Sequence, residues 1–299
     1  MSRRILVTGA GGQLGCSLAR LDWPRDLQLD LATSRQLDIG DADAVAARVG
    51  AGYAAVINAA AYTAVDKAES DEAAAFRVNA DGPALLAQAT ATAAIPLFHL
   101  STDYVFDGTK HGYYDESDPV APLGVYGASK LAGEQAVQAA HRGATIVRTA
   151  WVLSPFGSNF ARTMLRLGSE RAELRVVDDQ RGCPTSALDL ADALRAMVLR
   201  QVDDSAAPTG VYHFVNAGET SWCGLARAIF VEASARGGPS PQVTAIATAD
   251  YPTPAQRPAS SRLSVEKLTR DYAITPRPWQ VALAEIVAEL VPAREEQPS

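Results

Sequence analysis

The sequence predicts an α/β fold, a doubly wound parallel sheet of the Rossmann type with a smaller α/β substrate-binding cap. Three observations predict it. Short runs with no polar face, among them Ile5 to Val7, Val56-Ile57 and Ile95 to Leu100, alternate with longer amphipathic stretches, as buried parallel strands alternate with helices. The first run enters a glycine-rich turn, Gly9-Ala10-Gly11-Gly12-Gln13-Leu14-Gly15, which opens an amphipathic stretch to Leu21. The 299 residues suffice for such a domain and a second, smaller one.

Composition narrows the function classes. Apolar residues make up 47% and charged residues 20%, the profile of a soluble globular chain. The net charge of −7 and the lack of a Lys/Arg cluster argue against nucleic acid or an anionic membrane as partner. No apolar run is long enough to cross a bilayer. The three cysteines, Cys16, Cys183 and Cys223, fit neither a disulfide framework nor a zinc site, so a cytoplasmic location is expected.

Taken in order, the elements carry a ligand path. The glycines at 9, 12 and 15 allow a tight turn and let backbone approach a pyrophosphate, which the following helix N-terminus favours. The second strand, Leu27 to Leu31, should end at an adenosine ribose. Asp30 there favours NAD, whereas Thr33, Ser34 and Arg35 could hold a 2′-phosphate; the balance leans to NADPH, with NADH also accepted. Asp38-Ile39 is placed to flank adenine, ahead of a helix capped by Asp41 or Asp43. The third strand exits through Asn58 and three alanines to Tyr62 and Thr63. Asn79 reads equally as a helix-end hydrogen bond or a catalytic group. The fourth strand ends in Leu100-Ser101-Thr102-Asp103, which aims Thr102 and Asp103 into the crevice. The fifth is read as one strand, Ala144 to Leu153, with Trp151 either core or a wall against substrate.

Val125 to Glu134, VYGASKLAGE, is the centre of the chain. Tyr126 and Lys130 are one helical turn apart on one face, so the ammonium is expected to lower the phenol pKa and make Tyr126 a proton donor or acceptor near neutrality. Further on, Asn159 opens a helix and joins the substrate candidates. A short strand at Leu174 to Val177, helices near 189–202, 224–236, 265–268 and 280–290, and a strand at Val211 to Val215 complete the pattern. Arg257 and Arg262, in a proline-held loop, either grip a diphosphate or are solvated. The expected division is 1–153 plus about 186–216 for the dinucleotide domain, about 154–185 plus 217–292 for the cap, and a flexible tail at 293–299.

The GxxGxxG spacing resembles the extended short-chain dehydrogenase/reductases. With NAAAYTAVDKAE, STDYVFDG, VYGASKLAGE, RTAWV, DDQRGCPT and RPASSRL in one order, the chain from Ile5 to about Leu290 resembles the dTDP-4-dehydrorhamnose reductase family. The resemblance implies NAD(P)H-dependent reduction of a C4 carbonyl on a dTDP-deoxysugar, within dTDP-L-rhamnose synthesis. It implies Tyr126 as proton donor, Lys130 on the nicotinamide ribose and Thr102 on the carbonyl. It also implies Gly12, Gln13 and Leu14 on the pyrophosphate, Asp38 and Ile39 on the adenosine, Ala61, Tyr62, Thr63 and Leu100 towards the far half of the cofactor, and Thr102, Asp103 and Trp151 on the sugar. Dehydratases of the superfamily carry an Asp-Glu pair after the threonine; here Tyr104 follows Asp103. A non-catalytic regulatory subunit, as in methionine adenosyltransferase, shares the fold, but Thr102, Tyr126 and Lys130 are intact here. Some relatives dimerise around Mg²⁺ held by glutamates on the first helix and after a proline-threonine turn. This chain has neither, Asp189 being the nearest acid, so no metal is expected and the assembly stays open as monomer or homodimer.

Overall fold

The computed structural model describes residues 3–50 and 52–292; the expected tail at 293–299 lies outside the described residues. Six parallel strands form the main sheet: β1 (Arg3–Thr8), β2 (Leu27–Ala32), β3 (Tyr53–Asn58), β4 (Leu97–Thr102), β5 (Thr145–Thr149) and an edge strand, Gly210–His213. Their order is edge strand, β5, β4, β3, β1, β2. Chain order therefore reverses between β1 and β3, and a crevice opens there at the carboxyl ends of the strands.

The fully apolar runs sit where both faces are covered. Ile5, Leu6, Val7, Val56, Ile57, Leu97 and Phe98 are completely buried. Helices Gln13–Arg20 and Ala187–Asp203 cover one face, packing Leu14, Leu18, Leu190 and Leu194 against Ile5, Val7, Ile57 and Phe98. On the other face, Leu86 and Ala87 of Gly82–Thr92 and Val137 of Val125–Ala140 pack against Leu6, Val56, Leu97 and Ile146.

The cap has its own core. Helices Phe160–Glu170, Trp222–Ser234 and Trp279–Leu290 pack Met164, Ile229, Phe230 and Ile286 around Leu174 and Val176. The last two lie on Glu173–Val177, which pairs in parallel with Gln242–Ile246.

Two expectations need correction. The fifth strand is not continuous. Trp151 has φ +48°, a left-handed conformation, and turns the chain so that Val152–Leu153 leaves the main sheet and pairs with Thr185–Ser186. The second correction concerns the helix expected near 265–268, assigned to the cap. It spans Glu266–Tyr272, and Leu268 and Tyr272 enter the core of the main sheet beside Tyr212 and Phe214. The Tyr272 hydroxyl is anchored there by the Gln201 amide, 2.8 Å away.

Candidate active site

The crevice at the strand ends encloses about 690 Å³ and is lined by Gly9, Gly12, Gln13, Leu14, Asp38, Ile39, Ala61, Thr63, Leu100, Tyr126 and Lys130, among others. Its shape depends on glycine. Gly9 has φ +68°, and a Cβ there would lie 2.5 Å from the Ala60 amide nitrogen. Only a glycine lets the two loops close this tightly. Helix Gln13–Arg20 has no side-chain cap at Gly12, so its first amides are free for an anion. This cradle suits the pyrophosphate of a dinucleotide.

Several candidates line the crevice only in part or not at all. Asp30 lies on β2 but outside the crevice; it accepts from Arg48 (2.6 Å) and from the Tyr53 hydroxyl. The ribose end is lined instead by Thr33 and Ser34, with Arg35 exposed on the same turn. Asp38 keeps its place at the rim, and the Arg77 guanidinium holds its carboxyl below the usual range. Tyr62 points its ring away and donates to Asp71 at 3.1 Å. Its backbone is held by Asn79, whose amide oxygen accepts from Tyr62 N (2.9 Å) and whose Nδ2 donates to Tyr62 O (3.0 Å) and Ser129 Oγ (3.0 Å). Asn79 sits on a π-helical turn, Arg77–Asp81, and ties the cofactor loop to the catalytic helix. Gln13 accepts from Ser154 Oγ (2.8 Å) and Asn159 Nδ2 (3.0 Å), while Asn159 Oδ1 caps Phe160–Glu170. Asn159 thus braces the first helix against the start of helix Phe160–Glu170 and does not line the crevice.

The reacting end lies where helix Val125–Ala140 meets β4. Glu69 accepts from Val125 N at 2.9 Å and fixes the start of that helix. A Cβ on Gly127 would collide with the Tyr104 carbonyl, so glycine sets the close approach of the Asp103–Val105 turn to the helix. Tyr104 packs edge-on against Tyr126, with ring centres 5.4 Å apart. The expectation of a lowered Tyr126 pKa is overturned. Burial pushes the phenol up to about 12, a hydrogen bond with Thr102 partly offsets this, and the nearby Asp103 adds to it. Lys130 is itself buried and donates to the Leu100 carbonyl at 2.6 Å; burial brings its ammonium down to about 8, against support from Glu134 one turn on. Glu134 in turn holds Arg148 of β5 in a buried bidentate pair at 2.9 and 2.6 Å. Thr102 Oγ1 donates to Asp103 Oδ1 at 2.9 Å, and burial raises Asp103 to about 6, with Ser261 and Thr102 opposing.

The cap carries a second cleft of about 600 Å³, with Phe160, Met164, Leu167 and Trp222 as apolar walls and Arg171, Arg175 and Arg257 as cations. Arg257 pairs with both oxygens of Asp66 (3.0 and 2.8 Å), and its charge reaches Tyr104. Arg262 does not enter the cleft; it bonds Glu219 at 3.0 Å and the His111 carbonyl at 3.0 Å, bracing the cap. Trp151 lies behind the cleft rather than in it. Its ring stacks on Trp222 at 3.6 Å and 11° and covers Gly182. Asn79, which the sequence left open between a helix-end hydrogen bond and a catalytic group, is a hydrogen-bonding brace here. Glu69 and Trp222 carry no local signal, because their partners are distant in sequence.

Fold, glycine cradle and the Thr102, Tyr126, Lys130 group together define an extended short-chain dehydrogenase/reductase. A profile of the family described as RmlD substrate binding domain matches residues 3–291. A dTDP-4-dehydrorhamnose reductase of Sinorhizobium fredii is 42% identical over 290 residues, 96% of this chain and 98% of that protein. The Bacillus anthracis dTDP-4-dehydrorhamnose reductase, solved in complex with NADP, superposes with a TM-score of 0.89 at 36% identity, over 97% of this chain and 100% of that one. A Streptomyces venezuelae dTDP-glucose 4,6-dehydratase shares the fold alone, with a TM-score of 0.77 at 19% identity, over 96% of each chain. The chain belongs to the dTDP-4-dehydrorhamnose reductase family.

Proposed function

We propose that the protein reduces the C4 carbonyl of dTDP-4-dehydro-β-L-rhamnose with NADPH, giving dTDP-β-L-rhamnose. The observation that carries this reading is that Tyr126 and Lys130 line the dinucleotide crevice beside Leu100 and Ser101 of β4, with Thr102 next on that strand and hydrogen-bonded to Tyr126. Bound NADPH would supply the hydride to C4. Tyr126, protonated at neutral pH with its pKa near 12, gives its proton to the carbonyl oxygen as that oxygen becomes an alcohol. Thr102 orients the same oxygen, and the Lys130 ammonium favours the phenolate left behind. The cap cleft offers aromatic walls for a base and three arginines for a diphosphate.

NADPH is favoured over NADH because Asp30 is engaged by Arg48 and Tyr53, leaving Thr33, Ser34 and Arg35 at the ribose end. Reduction is favoured over dehydration because Tyr104, not a second acid, follows Asp103. We read the assembly as monomer or homodimer without bridging Mg²⁺, since Asp189 is held by Arg277 at 2.8 and 2.9 Å. The three free thiols and the absence, among the described residues, of a helix long and apolar enough to cross a membrane accord with a cytoplasmic setting.

The test follows NADPH absorbance with enzymatically prepared dTDP-4-dehydro-L-rhamnose. Tyr126→Phe should lower kcat by roughly 10²- to 10⁴-fold while leaving NADPH affinity unchanged. Cofactor binding without turnover in the wild type would refute the reductase reading and favour a regulatory subunit.

A further inference from the structure

Buried hydroxyl groups normally have hydrogen-bond partners, because an unsatisfied one costs about 1–3 kcal/mol. Two here have none. Ser101 Oγ and Thr149 Oγ1 are buried without a partner, their residues only 5% and 9% exposed. Both line the dinucleotide crevice, at the carboxyl ends of adjacent strands; Ser101 pairs in register with Arg148, and Thr102 with Thr149. They lie beside Leu100, Tyr126 and Lys130, on β4 and β5, which β3 separates from β1 and the glycine cradle that follows it. Neighbouring buried hydroxyls do find partners: Thr8 donates to Asn58 at 2.7 Å, and Thr102 to Asp103 at 2.9 Å. The two exceptions are therefore concentrated where a ligand enters.

We infer that Ser101 and Thr149 are cofactor-binding residues that hydrogen-bond the nicotinamide half of the dinucleotide. That half carries ribose hydroxyls and a carboxamide, which offer both donors and acceptors, and a hydroxyl side chain can meet either. The unmet hydrogen bonds of the free protein then become affinity for this half of the ligand, beside the Lys130 ammonium. The inference rests on the dinucleotide reading above and extends it to two residues that the motifs do not mark.

Calorimetric titration of Ser101→Ala, Thr149→Val and the double variant tests it, with NADPH and with adenosine 2′,5′-bisphosphate, which lacks the nicotinamide half. Each single change should weaken NADPH binding roughly fivefold, the worth of one hydrogen bond, and the double change by about twentyfold. Affinity for the bisphosphate should stay within about twofold, and the ligand-free melting temperature should hold or rise, because an unpaired buried hydroxyl has been removed. Unchanged NADPH affinity in the double variant would overturn the inference. So would a lowered ligand-free melting temperature with equal losses for both ligands, which marks a structural role. A wild-type protein that binds neither ligand would instead overturn the dinucleotide reading itself.

Discussion

The dinucleotide crevice and the cap cleft are of similar volume, yet they are assembled in opposite ways. More than half of the crevice lining comes from three short stretches, within 9–14, 33–39 and 59–63, although single residues as distant as Leu190 complete it, and much of what it offers a ligand is backbone brought close by glycine and alanine. The cap cleft draws on segments from Phe160 to Arg257, and its key side chains are locked in pairs: Trp222 on Trp151, Arg257 on Asp66. A site made of backbone is sensitive to added volume. A site made of paired side chains is sensitive to the loss of either partner.

The largest expected effect comes from adding volume to the first region. Gly9→Val meets both a left-handed φ and a 2.5 Å clash with Ala60 N, and it should destabilise the protein by about 4 kcal/mol or prevent folding. Chemical denaturation measures this; a loss below about 1 kcal/mol would mean that the loop can relax and that the contrast is overstated. In the cap, Trp151→Ala removes a stacked indole and should cost about 3 kcal/mol. At low temperature, where the variant remains folded, titration should still find NADPH affinity near wild type, because the crevice is supported by a separate core.

Arg257→Lys is milder. It forfeits the bidentate pair with Asp66 and should raise the KM for the nucleotide sugar about tenfold while NADPH affinity is kept. Equal losses for both ligands would show that the two regions are coupled through Asp66. The last effect is one of pH. In the folded protein the Lys130 ammonium is brought down to about 8 from an ordinary value of 10.5, so between these values the unfolded chain binds more protons and stability rises with pH. A gain on the order of 1–3 kcal/mol across that window should vanish in Lys130→Met, as melting curves at several pH values would reveal. The ratio kcat/KM, which reports ionisations of the free enzyme, should show the opposite trend and fall above pH 8 as the ammonium is lost.

The same division explains what could be read in advance. Strands at Ile5 to Val7 and Val56-Ile57, the glycine turn and the YxxxK pair are set by local pattern, and of the two helix caps the sequence allows, Asp41 and Asp43, the structure uses Asp41. Trp151 was ambiguous because its left-handed turn and its stack on Trp222 involve residues 71 positions apart. The ionisation of Tyr126 was misjudged because spacing reports a neighbouring cation but not burial, and burial dominates here. Asp30 was misplaced for a related reason: its partners Arg48 and Tyr53 arrive from the next helix and strand.

By itself, then, the sequence determined the parallel α/β frame, the glycine turn ahead of the first helix and the one-turn spacing of the Tyr126 phenol and the Lys130 amine, since each depends on periodicity or on spacing within one element. Tertiary structure alone decided which acids remain free, where the fifth strand breaks, how Asn79 joins the cofactor loop to the catalytic helix, and which buried hydroxyls lack partners. Those outcomes depend on desolvation and on contacts between distant segments, and both exist only once the chain has closed around its core.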